Sequence, residues 1–389
     1  MNSKAEKTQG KGKKSIVVFS LASFLNDFGS DIIYPIWPFF VTSLVGVNMA
    51  VLGLIDGLGE AIVSISQAGS GYLSDRLGKR KVFIWTGYFF GAMSRVGYAF
   101  STVWQHLVPF KVLDRAGKMR GAPRDAIVAD LSTDENRGRN FGLLRTMDNL
   151  GAVCGIVTSL FLFGYLGWSY TSLFLLAAFP SLFGVLLILL FIRDRKTKEI
   201  YKGLSLKDLT FNFKLFLLLS AIFALGSFSN SFLLVYAREA GFAESFVPVL
   251  YLIFTAMASL TALSFGKLAD RLGRRFVLIL AYLLWGLMCV EFIYSSDYLG
   301  IILPFVVYGL HRGAIEPVQR TFVSELSPIE HRASLLGAFQ MTVGLCALPA
   351  SLIAGLLWDT FGGRAPFYFS LGLTSLTVVL MLFLREKTK

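Results

Sequence analysis

Twelve apolar stretches follow one another along the chain, and this pattern limits the fold more than any other feature. A helix needs about 20 residues to cross the hydrocarbon layer of a bilayer. Only 16% of the residues are charged, against about 25% in an average soluble protein. The sequence therefore predicts an all-α membrane protein with twelve transmembrane helices, at 16–43, 50–73, 82–101, 104–127, 140–163, 169–192, 214–238, 246–269, 276–295, 299–322, 334–357 and 363–384.

The basic residues lie in the amino-terminal tail and in alternate loops, as in "DRLGKRK" and "RDRKTK". Cytoplasmic loops of membrane proteins hold an excess of lysine and arginine, so both termini are predicted to face the cytoplasm. The first apolar stretch lacks a small-residue cleavage pattern and is predicted to be retained. We expect an integral multi-pass protein of a bacterial inner membrane. Its net charge of +12 is explained by basic loops near anionic lipid headgroups, without a nucleic-acid partner.

An internal repeat divides the chain into halves. "GYLSDRLGKRKVF" begins at Gly71 and "GKLADRLGRRFVL" begins at Gly266, and the same offset aligns "DLSTDENRGRNFG" at 130–142 with "ELSPIEHRASLLG" at 325–337. Two matches at one offset indicate two related bundles of six helices each. The predicted domains are an N-terminal bundle at 1–192, a cytoplasmic linker at 193–213 and a C-terminal bundle at 214–389.

The two loop sequences resemble the G-x-x-x-D-R-x-G-R/K-R signature of the major facilitator superfamily, between helices 2 and 3 and between helices 8 and 9. The resemblance covers the whole chain. It implies two pseudo-symmetric six-helix bundles around a central cavity that opens alternately to each side of the membrane. It also implies a single-chain transporter of a small-molecule solute, working as a monomer within the lipid bilayer.

In the resembled family this loop acts as a cytoplasmic latch. Gly71 and Gly266 are expected to permit close helix approach, and the later glycine of each motif is expected to permit a tight turn. The alternative is that the basic residues only anchor the loop to headgroups. The predicted gating residues are Gly71, Asp75, Arg76, Gly78, Arg80, Gly266, Asp270, Arg271, Gly273 and Arg275.

Two acidic residues, Asp27 and Asp31, lie within the first apolar stretch, "NDFGSDIIYPIWPFF". They are one helical turn apart on one face, near the middle of the hydrocarbon layer. An unpaired charge at that depth costs about 2.5–3.5 kcal/mol on insertion scales. These acids therefore need partners or a hydrated cavity. Pro35 and Pro38, which follow them, predict a kink in the outer half of helix 1.

Helix 4 is unusually charged for a spanning segment. Lys111, Arg115 and Lys118 fall on one helical stripe with Asp114 alongside, at the depth of Asp27. We expect these groups to meet the acids of helix 1 in the N-terminal bundle. Arg115 also aligns with the arginine of R-x-x-Q-G-x-G, a second signature of the resembled family, although Lys118 replaces the usual glutamine.

Further polar residues are candidates for solute binding or coupling. Each has the alternative of a buried ion pair that only joins helices, and His311 has the alternative of an ordinary core histidine. We expect Arg95 and Glu291, in helices 3 and 9, to form structural ion pairs. The candidates are Tyr34, Glu60, Arg145, Asn230, His311, Arg312 and Glu316.

These residues predict the type of solute. Arg115 can bind a carboxylate or phosphate through two parallel hydrogen bonds, and Lys118 adds a point charge. The prediction is secondary active transport of a small anionic or zwitterionic organic solute. Asp27, Asp31 and Glu60 are candidate proton carriers, so a proton is the expected coupling ion, while sodium coupling or no coupling stays open. No other cofactor is expected.

Three alternatives remain. A drug or siderophore exporter would use the same architecture with a more aromatic cavity. A divalent metal carrier could use Asp27, Asp31 and His311, although the neighbouring basic residues oppose a cation. A non-transporting sensor would need an output domain, which the sequence does not contain. An enzyme is not expected, because H-E-x-x-H, G-x-S-x-G and Gly-rich nucleotide motifs are absent from the sequence.

Overall fold

The computed structural model describes residues 2–132, 136–192, 210–294, 298–327 and 332–384. Within these ranges every regular element is a helix and no β-strand is present. Most of the predicted linker, 193–209, lies outside the described residues, and so does the side chain of Asp75.

The first half of the chain contains eight α-helices in its described part. A 3₁₀ turn, Gly117–Arg120, joins α5 to α6, and π-helical turns follow α2 and α7 at Phe40–Leu44 and Leu160–Tyr165. Ser169 accepts a hydrogen bond from the amide of Ser172 and so caps the start of α8. The helices are α1 Asn2–Ile33, α2 Trp37–Phe39, α3 Met49–Leu77, α4 Arg80–Ala99, α5 Trp104–Ala116, α6 Gly121–Asp130, α7 Arg137–Ser159 and α8 Tyr170–Phe191.

The second half contains seven α-helices in the same described ranges. Thr210 caps the first of them by accepting a hydrogen bond from the amide of Phe213 at 3.3 Å. The helices are α9 Phe211–Gly226, α10 Ser231–Glu239, α11 Val247–Leu272, α12 Arg274–Tyr294, α13 Tyr298–Leu326, α14 Arg332–Phe361 and α15 Ala365–Met381.

Nine helical segments of the described chain are long and apolar enough to cross a membrane, and α15 is a shorter apolar helix. The α4 helix and the α5–α6 segment are not among the nine, and α5–α6 contains the charged residues of the predicted helix 4. The prediction of an all-α membrane protein is confirmed. The count of twelve spanning helices stays a prediction, although helices cover all twelve predicted stretches.

Three of the predicted spans are interrupted helices. Helix 1 ends at Ile33, and a turn at 34–36 that contains Pro35 separates it from α2, so the predicted kink is confirmed. Helix 4 contains the 3₁₀ turn, and helix 7 is interrupted at 227–230 between α9 and α10. Such breaks leave backbone groups and polar side chains at membrane depth.

The chain divides into two compact units that do not follow the sequence halves strictly. Unit 1 contains the described parts of Met1–Ile36 and Ile65–Lys202, and unit 2 contains those of Trp37–Ser64 and Gly203–Lys389. The outer part of helix 1 and the first half of α3 therefore pack with the second half of the chain. The predicted domain boundary at 193–213 stays a prediction.

Each unit has its own core. In unit 1, Phe19 of α1 and Tyr88 of α4 are fully buried with aliphatic side chains of α6, α7 and α8. In unit 2, the core is aromatic, with the ring of Trp285 5.9 Å from that of Phe228 and 5.8 Å from that of Tyr308. These cores hold the helices that present the polar residues described next.

Candidate functional site

A group of charged side chains from α1, α4, α5 and the 3₁₀ turn lies inside unit 1. In α1, Asp31 is buried and Asp27 is about a quarter exposed. Arg120 of the 3₁₀ turn approaches Asp27 with its Nη2 atom 3.8 Å from Oδ1. We call the following residues the charged cluster: Asp27, Asp31, Arg95, Lys111, Asp114, Arg115, Lys118 and Arg120.

The break in helix 4 positions the basic side chains of the cluster. A Cβ atom at Gly117 would lie 2.6 Å from the carbonyl oxygen of Gly87, so glycine is needed for this close approach to α4. Arg120 donates a hydrogen bond to the carbonyl of Gly117 at 2.9 Å, and its guanidinium lies 4.9 Å from the ring centre of Tyr88. The 3₁₀ turn thus directs Arg120 towards α1.

Arg115 and Tyr34 are in contact. The guanidinium lies 5.2 Å from the centre of the tyrosine ring, within the range of a cation–π interaction. The Nε atom of Arg115 is 3.6 Å from Oδ2 of Asp114. Lys111, one turn earlier, is also buried. The structure therefore brings three of the predicted helix 4 residues and Tyr34 into one region.

Asp31 and Lys118 have no direct partner within the described chain, since neither forms a hydrogen bond or a close ion pair there. Asp31 nevertheless lies within electrostatic range of Lys118, Arg95 and Arg115. Lys118 is half-buried. Both side chains therefore have free hydrogen-bonding capacity.

Arg95 is fully buried, and its partners differ from the expected ones. It donates to the carbonyl of Ala177 at 2.7 Å and to Ser30 Oγ at 2.8 Å, and also to Ser181 and Asn26. The expectation of an ion pair at Arg95 is wrong among its described contacts, because neutral oxygens of α1 and α8 surround the guanidinium. Arg95 joins α1, α4 and α8.

A second group of charges lies in unit 1 near the predicted cytoplasmic side. Arg124 of α6 donates to Asp125 at 2.9 Å and to Ser23, and it is 3.7 Å from Asp148. Arg145 is 60% exposed and lies 3.5 Å from the other oxygen of Asp148. This arrangement joins α1, α6 and α7, so the structure places Arg145 at the edge of a helix-joining network.

Several of these residues were not predicted from the sequence. Asn26 of α1 was missed because only the charged residues of that stretch were considered, and Arg120 and Arg124 were missed because the predicted stripe on helix 4 ended at Lys118 and assumed a continuous helix. The spacing of four between the two arginines was the available signal, since such residues share a helical face. The 3₁₀ turn could not be read from spacing, and it rotates Arg120 towards Asp27.

Three candidates of the predicted helix 10, which is α13 in the structure, lie in unit 2: His311, Arg312 and Glu316. His311 is buried, its Nδ1 is 2.7 Å from the carbonyl oxygen of Ala281, and its ring is 5.2 Å from that of Trp285. These contacts correspond to the alternative of a core histidine. Arg312 donates to Glu316 on the exposed side of the same helix.

The remaining candidates, Glu60 and Asn230, also lie in unit 2. Glu60 is exposed on α3. Asn230 immediately precedes α10 and makes no side-chain capping bond to that helix. The structure thus does not gather these two residues into the charged cluster, which lies in unit 1.

A buried carboxylate connects the two halves of the chain within unit 2. Asp56 of α3 accepts hydrogen bonds from Trp37 Nε1 at 2.9 Å, from Ser229 at 2.8 Å and from Ser231 at 2.5 Å. Ser229 lies in the break of helix 7, and Ser231 is the first residue of α10 after it. We call these four residues the Asp56 network.

Two further contacts join the same parts of the chain. Asp359 of α14 accepts hydrogen bonds from the amides of Met49 at 3.0 Å and Ala50 at 2.8 Å, so it caps the start of α3. Arg238 donates to Ser43 and lies 3.2 Å from Glu244. Ser43, Met49 and Ala50 lie in the segment between helix 1 and helix 2, on the side predicted to be extracellular.

The repeated loops form similar ion pairs in the two units, although the arginines differ by one position: at the repeat offset Arg274 corresponds to Lys79, and Arg80 corresponds to Arg275. In unit 1, Arg80 Nη1 lies 2.6 Å from Asp130 Oδ2. In unit 2, Arg274 lies 2.5 Å from Asp270 and 3.2 Å from Glu325. Asp130 and Glu325 are the first residues of the second repeated sequence, so both matched sequences of each half meet in space.

The predicted roles of the loop glycines are partly supported. Gly78 and Gly273 have φ angles of 62° and 98°, which L-residues with side chains rarely adopt. The expected close approach at Gly71 and Gly266 is wrong among the described residues. A Cβ at Gly71 would make only an ordinary contact of 3.6 Å, and one at Gly266 would meet nothing within 4 Å, because the helix surface is open there.

The other basic gating candidates differ in their surroundings. Arg76 and Arg271 are exposed. Arg275 donates to the carbonyl of Leu382 at 2.7 Å and so joins α12 to the end of the chain. Within the described residues, no group of three or more His, Cys, Asp or Glu side chains could hold a metal ion.

The fold and the paired loops define a class of membrane carrier. The sequence profile of the Major Facilitator Superfamily matches residues 19–214 and again 215–389, one match for each half. The chain belongs to the major facilitator superfamily.

Its relatives in this family are transporters. An uncharacterised MFS-type transporter of Methanocaldococcus jannaschii is 35% identical over 381 residues, which cover 95% of each chain. The multi-drug resistance efflux pump PmrA of Streptococcus pneumoniae is 25% identical over 93% of each chain. The crystal structure of a variant of the nucleoside transporter NupG superimposes with a TM-score of 0.80 at 15% identity, covering 96% of this chain and 100% of the other.

Proposed function

We propose that this protein is a secondary active transporter that moves a small anionic or zwitterionic organic solute across the membrane by alternating access. The proposal depends on Lys118, which is half-buried within electrostatic range of Asp31 and forms no hydrogen bond or ion pair among the described residues. An ammonium group at membrane depth is costly unless it is paired or hydrated. A bound anion would supply the missing partner.

The charge balance of the cluster favours an anion. It contains five basic side chains, Arg95, Lys111, Arg115, Lys118 and Arg120, and three acidic ones, Asp27, Asp31 and Asp114. Arg95 uses its donors on neutral groups, so no carboxylate of the described residues pairs with it directly. A carboxylate or phosphate of the solute would balance this surplus, with Arg115 as a two-point donor and Lys118 as a point charge.

Asp31 is the proposed site of proton coupling. Asp27 is already engaged by Arg120 and by Asn26, whose Nδ2 lies 2.9 Å from its Oδ1. Asp31 has no such contacts, so it can bind or release a proton without first breaking an ion pair. Proton transfer at Asp31 would change the charge beside Lys118 and thereby the affinity for an anion.

A ligand screen followed by flux measurement tests the proposal. The purified protein is screened by thermal stabilisation with carboxylates, amino acids, phosphorylated sugars and nucleosides, and each stabilising solute is then measured in proteoliposomes. Because a hydrogen bond to a charged group contributes about 1.5–3 kcal/mol, Lys118→Gln and Arg115→Gln should each lower flux at limiting solute by roughly 10-fold or more. Lys214→Gln, at an exposed site on α9, is the matched control.

Two results would overturn the proposal. One is stabilisation by neutral solutes alone, unchanged in Lys118→Gln and Arg115→Gln. The other is uptake or efflux that keeps its pH dependence in Asp31→Asn, which would remove Asp31 from the coupling step.

Export of a drug is the second candidate, favoured by the similarity to the efflux pump PmrA over most of both chains. Under this alternative, a lipophilic cationic dye should be expelled from energised vesicles, and Lys118→Gln should not reduce the rate, because a cation gains nothing from a basic side chain. Measurement of the dye and of the anionic solutes in the same vesicle preparation separates the two candidates.

A further inference from the structure

Unit 1 has an apolar groove on its surface where three helices end on the same side. It is formed by the start of the spanning part of α1, the start of α7 and the end of α8, and its volume is about 660 Å³. This lies within the range of about 300–1,000 Å³ that is typical of small-molecule pockets. Val17, Leu143 and Phe191 line it and are 56%, 41% and 61% exposed.

Basic side chains border the groove at one level. Lys13, Lys14 and Arg139 all line it, all are exposed, and none forms a hydrogen bond or ion pair within the described part of the chain. Lys13, Lys14 and Arg139 directly precede the apolar stretches predicted to span at 16–43 and 140–163, and Phe191 lies at the end of the stretch 169–192. The three charges therefore lie where the hydrocarbon layer gives way to the headgroups.

We propose that this groove binds one anionic phospholipid, with its phosphate among Lys13, Lys14 and Arg139 and an acyl chain along Val17, Leu143 and Phe191. Three unpaired cations above an apolar channel match a molecule that has a negative head and a long apolar tail. Basic pockets between transmembrane helices are known to hold such headgroups.

Two simpler occupants fit the groove less well. A soluble phosphate would contact the basic side chains but leave the exposed apolar wall uncovered. A zwitterionic phospholipid would fill the wall, but it presents no net charge to three cations. The proposal does not depend on the transported solute, because the groove residues are separate from the charged cluster.

Lipid retention by the purified full-length protein tests the site. The protein is delipidated in detergent, titrated with phosphatidylglycerol or with phosphatidylcholine of identical acyl chains, and the bound lipid is counted by native mass spectrometry. Each basic residue near anionic lipid contributes a factor of about five in affinity. The triple variant Lys13→Gln, Lys14→Gln, Arg139→Gln should therefore bind phosphatidylglycerol roughly 100-fold more weakly and bind phosphatidylcholine as before.

The control removes the same number of charges elsewhere. The control variant carries three substitutions at exposed positions in the second half of the chain, Lys214→Gln, Lys267→Gln and Arg320→Gln. It should retain phosphatidylglycerol like the unmodified protein. If both triple variants lose the lipid equally, the effect is one of general charge and the proposal is wrong.

A second variant tests the acyl chain without changing charge. Val17→Trp should fill the groove and lower the binding of phosphatidylglycerol by about 10-fold or more, as expected when an apolar chain loses its buried surface. This variant also decides the question if the triple glutamine variant does not fold. Unchanged retention in Val17→Trp, or equal binding of glycerol 3-phosphate alone, would overturn the proposal.

Discussion

Removal of the Asp56 carboxylate should release the segment 37–64 from the helices with which it packs in unit 2. In the Asp56→Ala variant, the side chains of Trp37, Ser229 and Ser231 lose their shared acceptor. The variant leaves the backbone of α3 and the charged cluster in unit 1 unchanged. It therefore isolates the contribution of this network.

The expected destabilisation follows from the number of contacts. A hydrogen bond to a charged group contributes about 1.5–3 kcal/mol, and a buried donor left unpaired costs about 1–3 kcal/mol. Because the three contacts share one carboxylate, their effects do not add in full, and we expect a loss of about 3 kcal/mol, the upper end of these ranges. Since about 1.4 kcal/mol is a factor of ten, local opening should become roughly 10²-fold more frequent.

Hydrogen–deuterium exchange in nanodiscs measures this opening, since amide exchange reports local unfolding. Peptides that cover 37–64 should exchange faster by about 10²-fold or more in Asp56→Ala, while peptides of α4 in unit 1 serve as the internal reference. Trp37→Phe and Ser231→Ala each remove one donor and should give intermediate rates. Asp125→Asn, which removes a charge in unit 1, is the control.

Unchanged exchange of 37–64 in Asp56→Ala would contradict this reasoning. It would mean that the apolar contacts of α2 and α3 hold the segment without help from the carboxylate. Equal acceleration in α4 would contradict it as well, because the loss would then be global.

Three other substitutions have expected outcomes. Asp359→Ala removes the cap of α3 and should destabilise its first turn by about 1–2 kcal/mol, seen as faster exchange of the amides at 49–52, whereas Asp359→Asn should lose less. Arg95→Lys should lower the melting temperature, because an ammonium cannot reproduce the planar set of hydrogen bonds to α1 and α8, and the exposed Arg145→Lys is the control. Gly53→Leu should destabilise unit 2 by about 1–3 kcal/mol, because a Cβ there would lie 2.0 Å from the carbonyl oxygen of Ser351; Gly69→Leu, at a site with nothing within 4 Å, should be tolerated in the same thermal unfolding assay.

The local features of the fold were accessible from the sequence. The left-handed turns at Gly78 and Gly273 follow from the residues at those positions, since glycine alone adopts such angles without cost. The break after Ile33 follows from Pro35 in the same way. The family assignment rested on these local motifs, together with the apolar stretches and their repeat.

The contacts of the charged cluster could be predicted only in part. Depth arguments placed the acids of α1 opposite helix 4, but they named Lys111, Arg115 and Lys118 as the basic residues facing them. The structure instead shows Arg120 next to Asp27, because the chain tightens into a 3₁₀ turn where Gly117 packs on α4. A helix that changes its pitch also changes which side chains share a face, and spacing alone does not reveal the change.

The long-range hydrogen-bond partners could not be predicted from the sequence for a different reason. Asp56 and Ser229 are 173 positions apart, and periodicity reports only neighbours along one helix. Arg95 shows the same limit, since its acceptors are backbone and serine oxygens of α1 and α8 that no charge pattern marks. A buried arginine in a membrane helix suggests an ion pair, but here neutral oxygens accept the hydrogen bonds of the guanidinium.

The assignment of 37–64 to unit 2 has a consequence for dissecting this protein. If the chain were cut between its sequence halves, the amino-terminal fragment would lack the helices that Trp37 and Asp56 contact, so the two fragments would not fold independently. Fragments that are produced together should be stable, and each should be degraded when it is produced alone.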